Sequence, residues 1–140
     1  MRDNTGDPSK KWTLTSYFPV FDGPEMKAFK QALENDIQQL LTAAEALPAL
    51  DGASAPDWEK IVLDLEDIHQ RLGHWSSYLS CLEAAHADDE RYARERGVIN
   101  QVRANLEHVD IELVRAFKSA VDDDFESFVQ RTRLQPIAHA

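Results

Sequence analysis

One cysteine, Cys81, stands in a chain of 140 residues, so an intrachain disulfide is excluded and stability has to come from burial. Glycine and proline are sparse, at five and six, and hydrophobic and charged residues make up 43% and 29%. That usage excludes collagen-like and disordered classes and is ordinary for a globular domain. The uninterrupted apolar runs are a few residues long, far short of the roughly 20 that span a bilayer. Residues 1–11 are polar and lack the apolar stretch of a secretory leader, so a cytoplasmic location is expected.

Positive charge is the minority sign. Fifteen basic residues face 25 acidic ones, and a net charge of -10 repels phosphate backbones and anionic lipid surfaces, so neither nucleic acid nor membrane is expected as a partner. Arg91, Arg94, Arg96 and Arg103 are interleaved with Asp88, Asp89, Glu90 and Glu95, which reads as a solvated face. None of the histidines, His69, His74, His86, His108 and His139, begins a His-Glu-x-x-His zinc motif. A Gly-x-Ser-x-Gly elbow, a phosphate-binding glycine loop and a dinucleotide fingerprint are also missing. No catalytic residue, metal ligand or cofactor site is therefore assigned to this segment.

What is present is helical periodicity. Residues 1–11 read as a mobile tail, after which Trp12, Leu14, Tyr17, Phe18, Val20 and Phe21 form an apolar strap without a clean period. A first helix is predicted to open at Asp22 to Pro24, with Met26, Phe29, Leu33, Ile37, Leu40, Ala44 and Leu47 on one face, ending before Pro48 and Gly52. A second runs from Pro56 to Ala87 on Trp58, Ile61, Leu65, Ile68, Leu72, Trp75, Leu79 and Leu82, with Gly73 as the expected bend point. The segment His86-Ala87-Asp88-Asp89-Glu90 then supplies the amino-terminal cap and acidic first turn of a third helix carrying Tyr92, Ile99, Val102, Leu106, Val109, Leu113 and Phe117. Asp122 to Asp124 are expected to cap a short fourth helix with Phe125, Phe128 and Val129. So short a connection between the second and third helices makes them antiparallel neighbours. The predicted fold is all-α, with residues 12–131 forming an up-and-down antiparallel bundle of about four helices that contains a long central hairpin. Residues 132–140 read as the start of a linker or helix leading onward.

Individual residues carry weaker signals. Glu66-x-x-His69 and Glu83-x-x-His86 match the element of carboxylate di-iron bundles, but both fall on one helix, roughly 25 Å apart by the helical rise, and cannot share a metal pair. Trp58 and Trp75 read as core, and Cys81 as a half-buried, unreactive thiol. Ser76, Ser77 and Ser80 fit either close helix approach or a solvated face.

Three segments resemble the oligoendopeptidase F family of zinc metallopeptidases. They are Trp12-Thr13-Leu14 with Tyr17-Phe18-Pro19 before a Pro-opened helix; the run from Leu72-Gly73-His74-Trp75-Ser76-Ser77-Tyr78 through Leu79-Ser80-Cys81-Leu82; and Arg133-Leu134-Gln135-Pro136-Ile137-Ala138-His139. The resemblance implies the amino-terminal helical domain of an oligopeptide-cleaving enzyme. Such a domain is non-catalytic and walls the substrate channel, while zinc belongs to a separate carboxy-terminal catalytic domain, its expected partner, and oligopeptide is met only indirectly. Trp12, Leu14, Tyr17, Phe18 and Phe21 are the candidate contacts to that domain or to a second copy in a homodimer. The competing expectation is a free-standing interaction or dimerisation module with no enzymatic role, motivated by the unbroken stripe from Trp58 to Leu82. A small metalloenzyme is the least supported reading.

Overall fold

The computed structural model describes residues 18–131, and every regular element among them is helical. The elements are α1 (Pro24–Ala46), α2 (Ala55–Ala85), α3 (Glu90–Lys118) and the short α4 (Asp122–Val129). The all-α bundle predicted from periodicity is what forms. The expected tail at residues 1–11, the strap residues Trp12, Leu14 and Tyr17, and the onward segment 132–140 lie outside the described residues.

The described residues divide at Ala32 and Leu33 into two compact units. In the first, Phe18 packs edge-on against Phe29, with ring centroids 5.1 Å apart. The chain reverses before α1 through Asp22, which adopts a left-handed φ of 59°, a conformation that Asp tolerates better than most residues. The Gly23 amide donates to the Val20 carbonyl at 3.0 Å. A β-carbon on Gly23 would lie 3.0 Å from both the Val20 carbonyl oxygen and its Cβ, so any larger residue there would have to push Val20 aside by a few tenths of an ångström.

In the second unit the remainder of α1 runs up, α2 down and α3 up. Leu33, Ile37, Leu40 and Ala44 from α1, Trp58, Ile61, Ile68, Leu72, Trp75 and Leu79 from α2, and Ile99, Val102, Leu106 and Val109 from α3 are buried. These follow the three-and-four spacing of the sequence because one face of each helix must leave water. Each large side chain so buried contributes about 1.5–3 kcal/mol. Helix α4 is held by aromatic contacts, with Phe117 centred 5.4 Å from both Phe125 and Phe128.

The helix ends are finished by polar contacts that periodicity does not reveal. Before α2, the Asp51 carboxylate accepts from the Ser54 amide at 2.8 Å and the Ser54 hydroxyl accepts from the Asp51 amide at 2.9 Å, a reciprocal capping arrangement. The bond from the Ser54 amide lowers the Asp51 pKa below its ordinary value. Trp58 donates its indole N–H to the Pro48 carbonyl at 2.9 Å. Helix α1 has no basic residue in its last turn, and Arg115 of α3 supplies the cation, donating to the Ala44 and Leu47 carbonyls at 3.2 and 3.0 Å. Carbonyls left over at a helix end require such partners.

Several boundaries differ from expectation. Helix α2 ends at Ala85, two residues early, because the His86 amide closes the last turn onto the Leu82 carbonyl while His86 itself leaves helical geometry. Gly73, the expected bend point, lies within this continuous helix. Asp89 caps α3 and accepts from the Arg91 amide at 2.9 Å. The cap position of α4 is Val121, and Asp122, Asp123 and Asp124 form its first turn instead, where their charge favours the helix amino terminus. Cys81 is exposed rather than half-buried; it falls beside, not on, the buried stripe.

Candidate functional site

The most organised polar structure lies in the seam between α2 and α3. Glu95 is 7% exposed and Trp75 fully buried, and the Trp75 indole donates to the Glu95 carboxylate at 2.9 Å. Tyr78 and Tyr92 are buried on the same two helices. Burial raises the pKa of the Tyr78 phenol, with Tyr92 and Glu95 adding to the effect. Burial lowers that of His74, one residue from Trp75, since imidazolium is harder to desolvate than imidazole. The next residue, Arg96, donates to the Ser76 and Ser80 hydroxyls at 2.8 and 2.9 Å and to the Glu83 carboxylate at 2.7 Å. A longer bond of 3.4 Å reaches the Ser76 carbonyl.

The seam is thus a fully partnered polar layer that sets the register of two antiparallel helices. It joins residues the sequence reading kept apart. Their interleaving with opposite charges places Arg96 and Glu95 on a solvated face, whereas α3 turns both towards α2. The available signal was the small-residue spacing of Ser76 and Ser80, one turn apart, which leaves room for a long cation from a neighbouring helix.

A second feature is a cleft of about 510 Å³ between α1 and α2, floored by Leu40, Ile61 and Ile68. Most of its charges pair with one another: Lys60 pairs with Asp64 at 2.6 Å, and Arg71 bridges Asp36 and Asp67 at 2.9 and 3.1 Å. Near the start of α2, buried Glu59 lies 3.2 Å from the Arg131 Nε, close enough for an ion pair though not aligned as a hydrogen bond. At the α2–α3 turn, bonds from Arg91 hold the Asp89 carboxyl at a pKa of about 2.

A third feature is apolar. Ile111 and Val114 are each 60% exposed on α3, Val121 is 63% exposed in the following turn, and Phe125 is partly exposed on α4. At 3.6 residues per turn, Glu107, Ile111, Val114 and Lys118 form one stripe opposite the buried Val102, Leu106 and Val109.

Of the candidate contact residues, Phe18 is buried and engaged with Phe29, and Phe21 is half-buried. Their neighbour Val20 is 61% exposed. In the two Glu-x-x-His pairs, Glu66, His69 and His86 are exposed and Glu83 is paired with Arg96. Among the described residues no group of three or more His, Cys, Asp or Glu side chains is placed to hold a metal ion, and no helix is long and apolar enough to cross a membrane. No protein-family model matches the chain, and no curated protein or solved structure matches it either.

Proposed function

We propose that this chain is the non-catalytic amino-terminal helical domain of an oligopeptide-cleaving zinc metallopeptidase resembling oligoendopeptidase F, where it walls one side of the substrate channel. The supporting observation is the seam. The run from Leu72 to Leu82, which carries the middle of the resemblance, lies in α2 just before the hairpin turn, and its Ser76 and Ser80 admit Arg96 from the returning helix. A hairpin tied by polar bonds across its seam, with the Trp75–Glu95 bond buried, is stiff, as a channel wall has to be. Zinc and the hydrolytic chemistry would belong to residues outside this chain, and none of its own side chains is given a step in the reaction.

A free-standing interaction module is the second reading, favoured by the exposed Ile111 and Val114, since a paired apolar row facing water marks contact surfaces. Cleavage of fluorogenic short peptides with added zinc separates the two. The 140-residue chain should be inert and the product of its complete native reading frame active. Inactivity of both, or a reading frame that stops at Ala140, would give the module reading the place of the first.

A further inference from the structure

We propose that the outward stripe of α3 is a self-complementary contact face on which two copies of this chain pack, helix against helix, antiparallel about a two-fold axis. The order of residues carries the inference. Along α3 the stripe reads Glu107, Ile111, Val114, Lys118: an acid, two apolar residues and a base. If two such helices run antiparallel with the axis passing midway between Ile111 and Val114, Ile111 of each copy meets Val114 of the other. Glu107 of each then meets Lys118 of the other. One operation therefore buries both apolar residues twice and pairs both charges twice, which is the defining property of an isologous interface.

The surface is free to do this. Ile111 and Val114 are each 60% exposed, and Glu107 and Lys118 have no ion pair among the described residues. The four positions span about 16 Å at the helical rise of 1.5 Å per residue. That contact lies near or below the roughly 1,000 Å² expected of a stable interface, so the dimer is a weak one with Kd on the order of 100 μM. A parallel arrangement would set Glu107 against Glu107 and Lys118 against Lys118, and like charges opposed in this way reject it.

The inference does not rest on the peptidase reading. Sedimentation equilibrium of the 140-residue chain at physiological ionic strength, from micromolar to millimolar concentration, tests it. The expected result is a reversible monomer–dimer equilibrium. Glu107→Lys and Lys118→Glu should each raise Kd about tenfold or more, because each sets like charges face to face at two places. The double variant, with its charges exchanged, should return Kd to within about threefold of the parent. Ile111→Glu should abolish the dimer. All four positions are exposed, and circular dichroism of each variant checks that the helices are retained. A chain that stays monomeric throughout overturns the proposal, as does a dimer in which the charge exchange fails to restore affinity. Monomer together with peptide cleavage by the longer protein would overturn the self-association and leave the peptidase reading standing; dimer together with no cleavage would leave the self-association standing and remove the peptidase reading.

Discussion

The two halves of α3 use their residues in opposite ways. Towards its amino terminus the helix buries charge: Glu95 is 7% exposed and Arg96 is drawn into four bonds with α2. Towards its carboxy terminus it exposes hydrocarbon, with Ile111 and Val114 in water. Position on the helical circumference, and what stands opposite, outweighed the chemistry of the individual side chain. A carboxylate can be buried when an indole N–H meets it, because the cost of burial arises from unpaired polar groups. A valine left in water forgoes only the modest gain of burial.

Breaking the inner half should cost most. Trp75→Ala removes a fully buried indole, and a loss of about 3–5 kcal/mol is expected in urea unfolding. Glu95→Leu keeps the volume but strands the Trp75 N–H, for a loss of about 1–3 kcal/mol. If the Trp75–Glu95 bond is the reason, combining it with Trp75→Phe should cost about 1 kcal/mol less than the two single losses added together. Strict additivity would show that the bond contributes nothing of its own.

Acid should act beside it, at His74. Burial lowers the His74 pKa from its ordinary 6.5, so the fold favours neutral imidazole. The contribution is complete above pH 6.5 and is lost as pH falls through that value towards the lower folded one. Thermal midpoints followed downward from pH 7.5 should decline with a component that His74→Gln removes. An unchanged slope in that variant would place the acid sensitivity elsewhere. The smallest effects are expected on the outer half. Ile111→Ser and Val114→Ser should shift monomer stability by no more than about 0.5 kcal/mol, measured at concentrations too low for self-association. A larger loss would mean that these side chains serve the bundle itself.

Much of this architecture was legible in the residues. The stripe of α2, from Trp58 to Leu79, requires one buried face along the whole helix because its apolar positions recur at steps of three and four. Trp58 and Trp75 belong to the core for the same reason. The acidic segment from His86 to Glu90 announces the start of α3, since an acidic side chain there can reach a free amide, and the structure selects Asp89 within it. The end of α2 and the cap of α4 were misplaced by a residue or two, as helix ends depend on which backbone groups find partners.

The sequence alone determined that the chain is helical, where its hydrophobic faces lie, and that the central pair of helices returns on itself, because these follow from spacing and from local backbone preferences. Tertiary structure decided the rest. Only the approach of α3 to α2 turned Arg96 from a surface cation into a clamp on Ser76, Ser80 and Glu83, and only the arrival of Arg115 closed the end of α1. Those bonds join residues from 13 to 71 positions apart in the chain, and no periodicity along a single helix encodes which polar groups a neighbouring helix will bring.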